Sequence, residues 1–204
     1  MYRNLLASLV LTLPLCATTI NFDDQSTAGG AVQLANQYAA QGVTFNDIYA
    51  AQNFKFNIFP PSTPNYASPF WVDLNPGTIS FVDPSNAANA ATVTSVTFTL
   101  VGLTATVDHP GNFSGATVDA LDLLGNVIAG QSITIPATAV TTANQNFTFT
   151  GNIHALRFTH TDLTTGTLPI DDLTFSGLTP APEPSTVLML GGGMLLLVFS
   201  RKKR

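Results

Sequence analysis

Short segments in which apolar and polar residues alternate dominate the central part of the chain. In residues 93–101, Val96, Phe98 and Leu100 fall on one face while threonines fill the other, which is typical of an antiparallel strand with one buried face. Similar segments are rich in Thr, Val, Ile and Phe and are bounded by Gly, Pro and Asn, and few windows show helical periodicity. The predicted strands are residues 18–22, 42–46, 54–58, 78–82, 93–101, 116–123, 127–129, 132–135, 146–150, 155–159 and 170–175.

Two connections between strands can also be located. The tripeptide Leu124-Gly125-Asn126 predicts a tight hairpin turn, because Gly and Asn tolerate positive φ. Residues 59–66 contain three prolines, each of which removes a donor from a strand ladder, so a loop is predicted there. Many short strands at this spacing predict an all-β fold, an antiparallel β-sandwich of the jelly-roll type.

The N-terminal residues follow a different pattern. Arg3 precedes an apolar run over residues 5–15, and small residues follow at 17–19, which is the order of a secretory signal peptide. We expect a signal helix in residues 1–19 with cleavage between Ala17 and Ile20. Cys16 is the one cysteine of the chain, but Leu15 stands where a lipoprotein signal needs a small residue, so lipidation is not expected.

The C-terminal residues also depart from the strand pattern. An uncharged run, residues 185–200, separates a Pro-rich stretch from a basic cluster. A short transmembrane helix is predicted at residues 186–200. Its most apolar part, residues 187–199, would rise about 20 Å as a helix, less than the roughly 30 Å of a hydrocarbon core. Three central glycines weaken it further. The basic residues would act as a stop-transfer signal on the cytoplasmic side; they are Arg201, Lys202, Lys203 and Arg204.

Composition narrows the classes of function. Charged residues are 9% of the chain and the net charge is −5, which argues against nucleic acid as a partner. Removal of Cys16 with the signal would leave no cysteine, so disulfides, thiol catalysis and zinc–thiolate sites would be excluded. The chain then divides into a signal peptide (1–19), one β-sandwich domain (20–179) and a C-terminal segment (180–204).

Catalytic motifs are weak in this sequence, and no catalytic residue is assigned. A glycoside hydrolase needs two carboxylates across a cleft, and the pattern of acidic residues does not place such a pair. A non-catalytic protein is therefore expected, with a secreted glycan hydrolase as the less favoured alternative. Carbohydrate binding is better supported, because an aromatic platform beside polar groups is present in Trp71, Tyr66 and Asp73. The alternative is that Trp71 fills the core, as large aromatic side chains usually do.

The C-terminal stretch carries a family resemblance. Pro182-Glu183-Pro184, the glycine-interrupted apolar run and the basic terminus resemble the PEP-CTERM sorting signal of exported proteins in Gram-negative, exopolysaccharide-producing bacteria. The resemblance implies that an exosortase recognises Pro182, Glu183 and Pro184 and removes the tail, so that contact with the inner membrane is transient. An ordinary single-span anchor is the alternative.

A second resemblance lies within the domain. Residues 20–24, residues 36–45 and the segment Ile170-Asp171-Asp172-Leu173-Thr174-Phe175 are similar to the first and last strands of galactose-binding-like or lectin-like modules. In such folds these strands lie side by side, and acidic residues there often hold structural Ca²⁺. The resemblance implies a calcium site that combines residues from two acidic pairs. These are Asp23, Asp24, Asp171 and Asp172. The alternative is that both pairs cap strand ends.

Two non-catalytic functions remain open. One is an exported protein of the cell surface or extracellular matrix that binds polysaccharide. The other is a purely structural matrix protein with no small ligand.

Overall fold

Antiparallel strands make up most of the structure, a computed structural model that describes residues 16–28, 30–52, 62, 64–69, 75–101, 115–136, 143–161 and 168–181. The strands are β1 (Thr18–Ile20), β2 (Val32–Leu34), β3 (Val43–Asn46), β4 (Ile48–Gln52), β5 (Asn65–Pro69), β6 (Gly77–Asp83), β7 (Asn86–Leu100), β8 (Ala116–Leu121), β9 (Val127–Ile135), β10 (Gln145–Ile153), β11 (Ala155–His160), β12 (Ile170–Ser176) and β13 (Thr179–Pro180). One turn of 3₁₀ helix, Ala39–Gln41, precedes β3. The all-β antiparallel class is confirmed.

The strands form two layers that share one apolar core. One path of neighbouring strands runs β2-β4-β5-β12-β7-β6-β11-β8-β9, while β1 pairs with β12 and β10 pairs with β7. Aromatic rings from the two layers meet between them: Phe81 of β6 lies 5.2 Å from Phe175 of β12, and Phe98 of β7 lies 5.7 Å from Phe158 of β11. Burial of these rings supplies much of the apolar area that holds the layers together.

The alternating pattern that predicted β7 is confirmed. Val96, Phe98 and Leu100 are buried, and the strand is longer than predicted because its first half pairs with β6 and β13. The segments 127–129 and 132–135 form one strand, β9, with Gly130 between them at φ +74°. Glycine adopts this left-handed conformation readily, so it bends the edge strand without ending it.

Several strand predictions need correction. The loop predicted at residues 59–66 is wrong at its end, because Asn65 and Tyr66 begin β5, which lies between β4 and β12. Pro69 is tolerated because it is the last residue of that strand. Three further strands, β2, β4 and β13, were not predicted. The strand predicted at residues 54–58 lies outside the described residues.

The predicted helices at the chain ends also lie outside the described residues. They are the signal helix in residues 1–19, of which only the last residues are described, and the transmembrane helix at residues 186–200. In the described part of the chain, no helix has the length and apolar character needed to cross a bilayer.

One end of the sandwich carries both a chain exit and two turns. β13 runs antiparallel to β7, so Pro180 lies opposite Ala91 and the chain leaves toward the beginning of β7. The β6–β7 turn lies at that end. Because β11 is antiparallel to β6 and β8 is antiparallel to β11, β8 also ends there. We call this the exit end.

Candidate functional site

The acidic pairs lie at the opposite end of the sandwich, which we call the acidic end: residues 21–27, 62, 65 and 171–172. β1 and β12 are antiparallel neighbours, with Ile20 opposite Leu173. The prediction that these two strands lie side by side is confirmed. Because β1 ends where β12 begins, residues 21–24 turn past Asp171 and Asp172. The pairing therefore brings the two acidic segments together.

The backbone is strained on both sides of this seam. Phe22 has φ 61° and Asp172 has φ 47°, and non-glycine residues in this left-handed region cost on the order of 1 kcal/mol each. The register between β12 and β7 shifts between Asp171 and Thr174, so Asp172 lies in a β-bulge. Phe22 is held by its fully buried ring, which packs edge-to-face 5.9 Å from both Tyr38 and Phe45.

Asp171 is a fully buried carboxylate that fixes a loop residue. Its Oδ2 accepts hydrogen bonds from the Ser62 backbone N–H at 3.0 Å and the Ser62 hydroxyl at 2.9 Å. The same hydroxyl lies 3.2 Å from the carbonyl oxygen of Asn21. Burial raises the pKa of Asp171 to about 7, although the hydrogen bonds from Ser62 oppose that shift. Asp171 therefore links β12, residue 62 and the end of β1.

The other three acidic residues are more accessible. Burial, followed by repulsion from Asp23, raises the pKa of Asp172. Asp23 Oδ1 accepts the Asn65 backbone N–H at 3.0 Å. Asp24 Oδ1 accepts hydrogen bonds from the Tyr38 hydroxyl and from Gln25 Nε2. Burial and the contact with Asp24 raise the pKa of Tyr38.

These contacts bear on the predicted calcium site. Among the residues that the structure describes, no three acidic, histidine or cysteine side chains are grouped as a metal site requires. Asp171, Asp24 and Asp23 already accept hydrogen bonds from protein donors. A cation between Asp23 and Asp172 would relieve the repulsion that contributes to the raised pKa of Asp172. Calcium stays a prediction.

Asn65 organises the acidic end, a role that the sequence did not indicate. Its side chain is buried and bonds three parts of one loop: Nδ2 donates to the carbonyls of Phe22 at 3.1 Å and Gln25 at 2.9 Å, and Oδ1 accepts from Thr27 Oγ1 at 2.9 Å. Every partner lies about forty positions away in sequence. The sequence placed Asn65 in the loop predicted at residues 59–66, where an Asn carries no periodicity that would indicate this role.

Of the three residues predicted to bind carbohydrate, the structure describes one, Tyr66. Trp71 and Asp73 lie outside the described residues. Tyr66 is fully buried, its hydroxyl has no hydrogen-bond partner among the described residues, and burial raises its pKa. Its ring therefore has no exposed face on which a sugar could stack in this conformation.

The polar groups of β8 and β11 form a separate structural contact. Asp119 accepts hydrogen bonds from Arg157 at 2.8 Å and from Ser132 at 2.6 Å. Burial alone would raise the pKa of Asp119, but the bonds from Ser132 and Arg157 outweigh it and hold that pKa below its ordinary value. This ion pair joins the neighbouring strands β8 and β11.

The sorting residues Pro182, Glu183 and Pro184 and the basic residues 201–204 lie outside the described residues, but a family comparison covers them. The model of the PEP-CTERM protein-sorting motif matches residues 180–204. The chain carries this sorting motif, as its sequence predicted. The motif is a substrate signal for exosortase, and it marks the chain as an exported surface protein that passes through the membrane.

Comparison of the fold with solved structures gives distant neighbours. The K2 cleaved adhesin domain of Lys-gingipain is 11% identical, with a TM-score of 0.47, and the match covers 79% of this chain and all of that domain. A family 35 carbohydrate binding module from Clostridium thermocellum is 15% identical, with a TM-score of 0.33 over 70% of this chain and 95% of the module. The enzymatically active domain of bacteriophage CBA120 tailspike protein 4 is 12% identical, with a TM-score of 0.36 over 71% of this chain, which spans only 20% of that protein. No curated protein matches the sequence.

Proposed function

We propose that the chain is a non-catalytic component of the cell surface or extracellular polysaccharide matrix of a Gram-negative bacterium. A signal peptide exports it, and an exosortase removes its C-terminal tail. The observation that carries this proposal is the position of the sorting motif relative to the folded domain. Within the described residues, the last backbone anchor is the hydrogen bond from Ala181 N–H to the Ala90 carbonyl, at 2.8 Å.

The first residue of the processing motif follows that anchor directly. Pro182 has no N–H with which to extend a strand ladder, and the last described strand, β13, ends at Pro180. Cleavage near Pro184 would therefore leave every described strand intact. A protease that acts on a folded, exported domain needs such an arrangement, because a site within a strand would require local unfolding.

The described strands also favour one signal-peptide cleavage site within the predicted range. β1 begins at Thr18 and pairs with β12, and Thr19 Oγ1 lies 2.8 Å from Thr174 Oγ1. Cleavage after Ala17 would keep this strand whole, whereas cleavage after Thr19 would remove most of it. We therefore expect the mature chain to begin at Thr18.

Mass determination of the protein recovered from the native host, with and without its exosortase, tests both cleavages. We expect loss of residues 1–17 in both samples and loss of the tail near Pro184 only when the exosortase is present. Glu183→Ala should block tail removal, and Thr186→Ala serves as the matched control. An intact tail in the unmodified host would contradict the processing proposal.

Carbohydrate binding is the more specific form of this function. It is supported by the sequence around Trp71 and Asp73, in which an aromatic ring stands next to polar groups. The test is binding of the mature protein to the host's own exopolysaccharide, with Trp71→Ala expected to abolish it and Leu124→Ala, at the exit end, expected to leave it unchanged. If the Trp71→Ala variant binds as well as the unmodified protein, Trp71 is not part of the binding site. Self-association without any glycan binding would support the structural matrix function instead.

Structural calcium at the acidic end is a second proposal, supported by the pairing of β1 with β12, which brings the segments of Asp23 and Asp172 together. A native-state ligand raises the unfolding midpoint by mass action. We expect Ca²⁺ to raise the melting temperature relative to chelator, and Asp172→Asn to remove that difference. Asp83→Asn, at the exit end, is the matched control. Equal midpoints for the unmodified protein with Ca²⁺ and with chelator would refute the site.

A further inference from the structure

The turn between β8 and β9 displays apolar side chains to solvent. Leu124 is 86% exposed, Leu123 46% and Val127 44%, and these are the exposed large apolar residues of the described chain. We call these three residues the hairpin tip. Elsewhere in the described residues, large apolar side chains are buried or half-buried. An apolar patch maintained in water marks a contact with another apolar surface.

The exposure of the tip is built into a well-formed turn. Asp122 Oδ1 accepts the backbone N–H groups of Leu124 at 2.8 Å and Asn126 at 2.9 Å, and the Gly125 N–H donates to the Asp122 carbonyl at 3.1 Å. Gly125 has φ +80°, which glycine adopts without strain. The leucines are therefore held outward by a local hydrogen-bond network.

The hairpin tip lies at the exit end, a short distance from the last anchored residue of the domain. Ala181 bonds to Ala90, the next residue Ala91 contacts His154 Nδ1 at 2.9 Å, and the His154 N–H donates to the Leu121 carbonyl at 2.7 Å. Strands are spaced about 4.8 Å apart, so this path spans on the order of 15 Å. The strand directions also agree, because β8 and β13 both run toward this end.

In the proposed function, the chain beyond Ala181 enters a bilayer before the tail is removed. Residues 182–186 separate that anchor from the apolar run at 187–199. Five residues span at most about 17 Å when fully extended. While the apolar run lies in the membrane, these five residues keep the exit end within about 17 Å of the lipid surface. The hairpin tip, which lies at the same end, is then close enough to contact the lipid.

We infer that the hairpin tip is a membrane-contacting element, which inserts its leucines into the adjacent lipid leaflet while the C-terminal tail is still attached. This inference rests on the proposed function, because the tail must first enter the bilayer. Two leucines and a valine bind a membrane weakly by themselves, but a tethered contact is intramolecular and gains from its high effective concentration. The contact fixes the domain upright, with its acidic end away from the membrane, and ends when the tail is removed.

The charges at this end favour an apolar contact with neutral lipid. Asp122 forms the base of the tip and Asp83 lies in the neighbouring turn. Arg157, the one Lys or Arg within the described residues, is paired with Asp119. No described cation is thus free to attract an anionic surface, and negatively charged lipid should oppose the contact.

The test measures where a label on the tip resides. The protein expected after signal-peptide removal, residues 18–204 with Leu124→Cys, carries an environment-sensitive dye and is reconstituted into phosphatidylcholine vesicles that contain an acyl-chain quencher. Matched labels at Ser26→Cys, at the acidic end, and Ser85→Cys, in the β6–β7 turn, report the aqueous side. We expect strong quenching at position 124 alone. Adding Leu123→Ser should weaken that quenching, and replacing part of the lipid with phosphatidylglycerol should not increase it.

The outcomes separate this inference from the proposed function. Vesicle flotation reports whether the tail enters the bilayer, and failure to float would overturn both. If the protein floats but the label at 124 is quenched no more than the label at 26, the membrane contact is overturned and the proposed function is not. A dye response at 124 that rises with protein concentration and does not change with the lipid quencher would show that a second copy of the protein covers the tip. That result would also overturn the membrane contact.

Discussion

The two ends of the sandwich use polar and apolar residues in opposite ways. At the acidic end, polar groups are buried: Asn65 and Asp171 are almost fully enclosed, and Phe22 and Asp172 adopt strained backbone conformations. At the exit end, apolar groups are exposed, and the polar Asp122 stabilises the turn that displays them. Each end departs from the usual rule of apolar residues inside and polar residues outside, which is the kind of departure that marks a functional region.

The distance between these ends keeps their effects separate. Asp171 lies opposite Thr99 of β7, and Ala181 bonds to Ala90 of the same strand. At about 3.3 Å per residue, the nine positions between them span roughly 30 Å. This is several times the Debye length of about 8 Å at physiological ionic strength. Changes at one end should therefore leave the other unaffected, and this independence can be tested.

The largest expected effect is the pH dependence that Asp171 gives to stability. The pKa of Asp171 is raised from 3.8 to about 7 in the folded protein. Below pH 3.8 the group is protonated in both states and has no effect. Between pH 4 and 7 the unfolded chain ionises while the folded protein keeps its proton, so the free energy of unfolding falls as pH rises. The total loss is at most about 4 kcal/mol.

Denaturant unfolding in chelator at several pH values measures this effect. Asp171→Asn should flatten the slope between pH 4 and 7 while keeping an oxygen that can accept from Ser62. Asp83→Asn, at the exit end, should leave the slope in that interval unchanged. Identical slopes for the unmodified protein and Asp171→Asn would show that Asp171 does not keep its proton when folded.

A second large effect is expected when Asn65 is truncated. Asn65→Ala removes the bonds to Phe22, Gln25 and Thr27. The Gln25 carbonyl and the Thr27 hydroxyl lose the partner that Asn65 provides, while the Phe22 carbonyl keeps the Gln25 N–H at 3.2 Å. The expected loss in the free energy of unfolding is about 3 kcal/mol. The matched control is Asn86→Ala in the β6–β7 turn, where an exposed side chain accepts one hydrogen bond from Ala88. That variant should change stability by about 0.5 kcal/mol, and equal losses in both variants would contradict the comparison.

The sequence predicted the features whose cause is local. Alternation of residues located β7, and the Gly125-Asn126 pair located the turn that follows β8, because each depends on neighbouring residues. β5 was missed since all five of its residues are buried, so it shows no alternation. β2 has only three residues, too few for any period to be visible.

The distinction between features with a local cause and features without one also applies to the candidate functional sites. The acidic pairs and the sorting motif could be identified because residue type and order alone indicate them. The role of Asn65 depends on contacts made across 38 to 43 positions, and the exposure of Leu124 depends on which end of β8 faces solvent. Neither property is encoded in a local pattern, so both had to come from the three-dimensional structure.

The smallest effect expected is at the hairpin tip, where stability and membrane contact should separate. Gly125→Ala places a side chain at φ +80°, and the added Cβ meets no atom within 4 Å. Its cost is therefore purely conformational, about 1 kcal/mol, and Gly125→Asn should cost less because Asn tolerates this conformation. Leu124→Ser should leave the free energy of unfolding unchanged in denaturant titrations, since its side chain is already in water. If Leu124→Ser instead destabilised the fold as much as Gly125→Ala, the leucine would be part of the folded core, and the contrast between the two ends would be lost.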